Sequence, residues 1–209
     1  MAGQAMSRDM KVEICKILDR IGALKFGAFK LTSGKLSPYY IDLRIVPSFP
    51  DAFQKICEFY ADFTRSHVRT ENIDRIAGIP VAGLPFASVV ALNLKKPFVF
   101  VRKGARRHGR ERRVEGILAP GDRVLLIEDL VTGGLSILKA ARAITAEGGV
   151  VKDAIVLIDR QEGGKEKLEK NGVRLHALLS ITEVVNNLHD LGTIDDDQLK
   201  TIMKQVKKK

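Results

Sequence analysis

The 209-residue chain has no tryptophan, only two cysteines, and few aromatic residues, which make up 6% of the sequence. Cys15 and Cys57 lack the CxxC spacing of thiolate metal and redox sites, so we expect both to be buried apolar residues on helices. No signal peptide is evident, and no apolar run approaches the roughly 18 residues that a membrane-spanning helix needs. These absences predict a cytoplasmic protein with no membrane partner.

Positive charge is in excess, because 35 Lys and Arg against 25 Asp and Glu give a net charge of +10. Part of the excess lies in the C-terminal lysines, and another part is concentrated between Arg102 and Arg113. A nucleic-acid partner or a polyanionic small substrate would each explain local positive charge. The basic stretches contain hardly any aromatic residues, so we expect a small-molecule substrate and no nucleic-acid partner.

The hydrophobic pattern predicts one α/β domain over residues 1–209. From residue 51 onward, short apolar runs alternate with segments of helical spacing, which is typical of a parallel sheet flanked by helices on both faces. Before that, Phe29 and Leu31 alternate with polar residues, and a turn at residues 33–35 leads to a second strand at 39–43. We therefore expect three parts: an N-terminal helix and hairpin hood (1–45), an α/β core (50–180), and C-terminal helices with a basic tail (181–209).

Residues 124–136 combine a buried strand with a loop suited to phosphate. Four apolar residues (124–127) predict a parallel strand, two carboxylates follow at Glu128 and Asp129, and a small-residue loop leads into a helix. Ligands of open α/β sheets lie beyond the carboxyl ends of strands, and a glycine-rich loop entering a helix directs N–H groups at an anion. The carboxylates would then bind ribose hydroxyls, hold Mg²⁺ or stabilise a developing cation. The simpler alternative is a buried strand ending in a solvated acidic turn.

Two further segments fit the same kind of ligand. Residues 78–83 form a second small-residue turn between a strand and a helix; alone it would be a plain βα turn, but with the first loop it suits a ligand carrying phosphates at both ends. Residues 102–116 contain seven Arg or Lys and almost no apolar side chains. They connect two strand ends, so they could close over a pyrophosphate leaving group; the alternatives are a solvated charged segment or a nucleic-acid surface.

The strand, acidic pair and Thr132-Gly133-Gly134 loop resemble the phosphoribosyl diphosphate (PRPP) motif of type I phosphoribosyltransferases, with Glu128-Asp129 where many members have Asp-Asp. Three more motifs are similar to those of the orotate branch of this family, and the resemblance spans about residues 20 to 165. They are Phe29-x-Leu31-x-Ser33-Gly34-x-x-Ser37-Pro38-x-Tyr40, the Arg102-Lys103 to Glu115-Gly116 loop with its His108-Gly109, and Asp159-Arg160-Gln161-Glu162.

The resemblance implies transfer of phosphoribose from PRPP to orotate, with Mg²⁺ as cofactor but no metal site made by the protein alone. It also implies a homodimer in which loop 102–116 acts in the neighbouring site. Orotate would meet Thr132 and Arg160, with Phe29 or Tyr39 flanking its ring. The implied catalytic residues are Lys103, Arg106, His108 and Asp129. The implied PRPP contacts are Arg102, Lys103, Arg106, His108, Glu128, Asp129, Leu130, Val131, Thr132, Gly133, Gly134, Leu135 and Ser136.

Two positions depart from the family pattern. Arg106 stands where the family has a loop lysine, and because arginine stays protonated at neutral pH it favours charge stabilisation over proton donation. His108 then becomes the proton donor that the loop offers. Thr32 replaces the lysine that many members have before the hairpin Ser-Gly, so one contact to the substrate is absent.

Two other functions agree with parts of the sequence. Another type I phosphoribosyltransferase, acting on a purine or on uracil, would share the PRPP loop but not the hairpin motif or Arg160. A PRPP-sensing regulator that binds nucleic acid would explain the charge, but it would not need the basic loop beside the acidic pair.

Overall fold

The computed structural model describes residues 7–30, 34, 36–104 and 113–207. Its helices are α1 (Arg8–Arg20), α2 (Pro50–His67), α3 (Gly83–Leu94), α4 (Leu135–Ala146), α5 (Gly164–Glu169), α6 (Ile181–Asp190) and α7 (Asp196–Lys207), with 3₁₀ turns at Leu43–Ser48 and Thr70–Asn72. Its strands are β1 (Leu24–Lys30), β2 (Leu36–Ile41), β3 (Arg75–Gly78), β4 (Phe98–Val101), β5 (Val114–Glu115), β6 (Arg123–Val131), β7 (Val150–Asp159) and β8 (Arg174–Ser180).

These strands form two sheets. β1 and β2 pair antiparallel as the predicted N-terminal hairpin. The other six have the order β5-β4-β3-β6-β7-β8, in which all are parallel except β5, which pairs antiparallel with β4. The α/β prediction is confirmed, but the prediction of an uninterrupted polar loop over 102–116 was wrong at its C-terminal end, where Val114 is buried and continues the sheet.

Helices cover both faces of the larger sheet. Leu125 and Ile127 of β6 pack in a core with α1, α2, α3, α6 and the hairpin. The alternate residues Val124 and Leu126 pack in a second core with α4 and α5. Successive side chains of a strand point to opposite faces, so a nearly continuous apolar run was the correct signal for this doubly covered sheet. Among the described residues, no helix is long and apolar enough to span a bilayer.

At the carboxyl edge of the sheet, β6 extends past one of its neighbours. β3 ends at Gly78, which pairs with Ile127, whereas β6 continues to Val131, which pairs with Asp159 of β7. The chain leaves β3 towards β4 and leaves β6 towards β7, so the strand order reverses between them, and ligands of such sheets bind at this crevice. The prediction that the strand ends at residue 127 was wrong, since pairing with β7 keeps Glu128 and Asp129 within it.

The division into hood, core and C-terminal parts stays a prediction.

Candidate active site

The acidic pair lies on the part of β6 that extends beyond β3. Glu128 is 6% exposed and Asp129 is half-buried. Burial, and then the neighbouring Asp129 carboxylate, raise the pKa of Glu128 to about 9. Burial also raises the pKa of Asp129, although the Leu130 N–H and the charge of Arg44 oppose that shift. A cation or hydroxyl donors would therefore stabilise the ionised pair, because they would replace the solvation that burial removes.

Backbone contacts hold this part of β6 in place. The buried Tyr60 of α2 donates its hydroxyl to the Glu128 carbonyl at 2.8 Å. The Asp129 N–H donates to Oε1 of Glu128 at 3.2 Å. The Glu128 backbone is therefore fixed from the α2 side.

The turn after β3 lies directly against the acidic strand. A Cβ on Gly83 would lie 2.6 Å from Oε1 of Glu128 and 2.8 Å from the carbonyl oxygen of Ile127. A Cβ on Gly78 would lie 3.0 Å from the Cδ2 atom of Leu84. Glycine at position 83 therefore lets the turn approach the carboxylates, and glycine at position 78 lets α3 pack closely on β3. The Pro80–Val81 peptide in this turn is cis.

The loop after β6 is held on one side and open on the other. Gly134 has a positive φ of 73° and precedes α4, and no side chain among the described residues caps this helix, so the first N–H groups of α4 can face an anion. A Cβ on Gly164 would collide with the Thr132 carbonyl, so the loop packs tightly on the start of α5. Around Gly133, by contrast, a Cβ would meet none of the described residues within 4 Å. A phosphate can approach from that open side, near the exposed Ser136.

Arg160 reaches the same edge from the end of β7. It is 8% exposed, its Nη2 lies 3.1 Å from Oε1 of Glu162, and its guanidinium carbon lies 5.0 Å from the centre of the Tyr39 ring. Nε and Nη2 have no hydrogen-bond acceptor within the described part of the chain. Sequence reasoning singled out Arg160 but assigned no role to Glu162. Tyr39 is only 2% exposed, and its ring packs against the guanidinium of Arg160. The ring of the half-buried Phe29 packs against Tyr40, with 5.8 Å between the two ring centres.

The structure describes the base of the basic loop. Arg102 pairs with Glu115 at 2.9 Å, and its N–H donates to the carbonyl of Arg113. The backbone N–H groups of Arg113 and Val114 both donate to one carboxylate oxygen of Glu147, at 2.8 and 2.9 Å. Lys103 is exposed. The implied catalytic residues Arg106 and His108 lie outside the described residues.

The predicted site residues that are described thus meet mostly at one edge. The acidic pair lies in the last part of β6, while the turn at 78–83, the loop at 132–136 and Arg160 lie at the carboxyl ends of the neighbouring strands β3, β6 and β7. Leu130 and Val131 complete β6, and the exposed Leu135 begins α4. In the described part of the chain, no cluster of three or more His, Cys, Asp or Glu could enclose a metal. Two adjacent carboxylates still suit Mg²⁺, which keeps several waters and takes its other ligands from substrate phosphates.

Known proteins share this architecture. Residues 50–183 match the phosphoribosyl transferase domain family. The chain is 43% identical over 181 residues to an orotate phosphoribosyltransferase of Cenarchaeum symbiosum (strain A), covering 87% of this chain and 90% of that one. Its fold is similar to the orotate phosphoribosyltransferase of Aeropyrum pernix, with a TM-score of 0.72 and 31% identity over 86% of this chain and 99% of that one.

A longer protein shares the fold as well. UMP synthase of Leishmania donovani superposes with a TM-score of 0.83 and 31% identity, over 95% of this chain but only 42% of that chain. The similarity to the Cenarchaeum symbiosum enzyme over most of both chains, together with the motifs at the cleft, confirms the resemblance seen in the sequence. The chain belongs to the orotate phosphoribosyltransferase family.

Proposed function

We propose that the protein transfers the phosphoribosyl group of PRPP to orotate, giving orotidine 5'-phosphate and pyrophosphate in pyrimidine biosynthesis. The observation that carries this proposal is the presence of three groups at one edge of the sheet: a buried acidic pair, a helix start that no described side chain caps, and a buried arginine with donors that no described residue uses. Family membership supports the same reaction.

The two βα turns suit the two ends of PRPP. The N–H groups of the loop at 132–136 and the start of α4 take the 5'-phosphate. Glu128 and Asp129 accept hydrogen bonds from the ribose hydroxyls, which replace some of the solvation that burial removes. The turn at 79–83 lies against Glu128 and takes the pyrophosphate on its backbone groups.

Mg²⁺ would enter the site together with PRPP. Glu128 and Asp129 are the described residues that would hold it, directly or through water, while phosphate oxygens fill its other positions. When bound, the ion neutralises part of the charge on the pyrophosphate.

Arg160 and Thr132 provide the orotate site. The edge of the guanidinium that carries Nε and Nη2 matches the two oxygens of a carboxylate, which arginine binds in a bidentate manner. Thr132 is half-buried in the phosphate loop, directly after β6. An adenine, hypoxanthine or uracil substrate has no carboxylate for this arginine.

In the reaction, the bond between C1 of ribose and the pyrophosphate oxygen breaks, and its electron pair leaves with pyrophosphate. Lys103 and Arg106 stabilise the departing charge, His108 donates a proton to it, and Asp129 stabilises the positive charge that develops on ribose. N1 of orotate then forms the new bond to C1 and releases its proton to solvent water, which balances the proton that His108 gives to pyrophosphate. We further propose that loop 102–116 acts in the neighbouring site of a homodimer, and that the protein is cytoplasmic.

The direct test follows the absorbance of orotate in the presence of PRPP and Mg²⁺, with each component omitted in turn. We expect loss of orotate only in the complete mixture, with adenine, hypoxanthine and uracil left unreacted. Turnover of one of those bases instead would reassign the substrate. Salt-sensitive binding of RNA or DNA without any turnover would favour the regulator.

A further inference from the structure

Arg160 is a buried cation that already has a carboxylate beside it. Its side chain and that of Glu162 are 9% and 21% exposed, and Nη2 lies 3.1 Å from Oε1. Removing the partner of a buried charge is strongly unfavourable, so Glu162 neutralises Arg160 when no substrate is present. The orotate carboxylate would therefore approach an arginine that is already paired.

The pairing between the two residues is incomplete. Despite the short distance, neither Nε nor Nη2 of Arg160 makes a hydrogen bond with good geometry to any described residue. A bidentate carboxylate supplies two aligned, charge-assisted hydrogen bonds to this edge, which makes it a better partner than a misaligned one. An incoming carboxylate can therefore compete with Glu162 for the guanidinium.

Hydrogen bonds hold the neighbouring Gln161, so displacement of Glu162 from Arg160 would require a rotation of the Glu162 side chain. Gln161 has a positive φ of 54°, and its N–H donates to Oδ1 of Asp159 at 2.8 Å. The side-chain oxygen of Gln161 accepts a hydrogen bond from the hydroxyl of Thr182, at 2.6 Å, at the start of α6. On the other side, the Tyr39 ring supports the face of the guanidinium. A carboxylate that reaches Nε and Nη2 must therefore approach the edge of the guanidinium, whose Nη2 atom Glu162 already contacts.

We propose that Glu162 is a resident counter-ion which the substrate carboxylate displaces, and that it thereby sets the affinity for the acceptor base. This inference rests on the proposed function. Glu162 stabilises the empty site and opposes orotate by competition and by like charge. A base without a carboxylate cannot replace Glu162 on Arg160, so it leaves the original pair intact and gains nothing from the arginine.

The test compares Glu162→Gln with Glu169→Gln. The first variant removes the competing charge but keeps a neutral acceptor beside Arg160. The second makes the same charge change on the exposed end of α5 and serves as the matched control. For Glu162→Gln we expect the KM for orotate to fall roughly three- to tenfold while the KM for PRPP stays unchanged. Orotate should also raise the melting temperature of this variant by more than that of the wild type.

Other outcomes would overturn the inference. An unchanged or higher KM for orotate in folded Glu162→Gln would mean that Glu162 does not compete with the substrate. If that variant does not fold, a structure of the wild type with orotate decides: displacement predicts that Glu162 lies more than about 4 Å from Arg160, and a retained contact contradicts it. Wild-type turnover of orotate distinguishes failure of this inference from failure of the proposed function.

Discussion

Gly83 and Glu128 touch across the crevice between β3 and β6: a methyl group on Gly83 would come within 2.6 Å of Oε1 of the glutamate. The turn after β3 and the acidic strand therefore form one surface. The contact exists only because the first residue of α3 has no side chain, and it places the proposed pyrophosphate site beside the proposed ribose site.

Replacing Gly83 with alanine should disturb both stability and activity. The added Cβ would also lie 2.8 Å from the Ile127 carbonyl, which cannot move without shifting β6. We expect the free energy of unfolding to fall by about 1–3 kcal/mol and kcat/KM for PRPP to fall at least about tenfold. Denaturant titration and steady-state kinetics would measure the two effects.

Gly133→Ala is the control for the stability measurement, because in the described part of the chain no atom lies within 4 Å of the Cβ it would add. It should change the free energy of unfolding by less than about 1 kcal/mol. If the Gly83 and Gly133 variants were equally stable, the close approach of the turn after β3 to the acidic strand β6 would be refuted.

The acidic pair should make stability depend on pH. Burial raises the pKa of Glu128 from 4.5 to about 9, so the protonated form favours the folded state. This contribution is complete below the unfolded pKa and is lost as the pH rises towards 9; Asp129 acts in the same direction. Glu128→Gln cannot ionise, so it should lose less stability than the wild type between about pH 5 and pH 9. Urea midpoints measured across this pH range give the difference. If the midpoints of the wild type and of Glu128→Gln changed in parallel with pH, the raised pKa of Glu128 would be contradicted.

Arg160 should determine the affinity for orotate through the shape of its guanidinium. Arg160→Lys keeps the charge but loses the planar pair of donors. We expect the KM for orotate to rise about 10- to 100-fold, while the KM for PRPP changes little. Arg174→Lys is the control, because its side chain is 66% exposed and pairs with Asp153 at the start of β7. An equal KM for orotate in the two variants would show that Arg160 does not bind orotate.

Shared sites in a dimer can be tested by mixing two inactive variants. Arg106→Ala removes a charge from the basic loop, and Asp129→Ala removes a carboxylate from the cleft. If the loop acts in the neighbouring subunit, a mixed dimer contains one site with both residues intact. We expect about a quarter of wild-type activity after random exchange of subunits, from the statistics of C₂ assembly. Proven mixed dimers without activity would show that each loop serves its own site.

The sequence predicted the features that follow from local pattern. The apolar runs of β6 and β7 indicated a covered parallel sheet, and the small residues before α4 indicated the phosphate loop. The end of β6 was misplaced, because pairing of Leu130 and Val131 with β7 depends on a distant strand. The roles of Glu162 and Tyr39 beside Arg160 were not foreseen either. They arise where the hairpin meets the end of β7, and no periodicity in the chain encodes that contact.

A crystal structure of the protein with PRPP and Mg²⁺ tests the central claim most directly. The account predicts the 5'-phosphate on the N–H groups of residues 132–136, with the ribose hydroxyls within hydrogen-bond distance of Glu128 and Asp129. PRPP bound at another place, with the crevice between β3 and β6 empty, would contradict it.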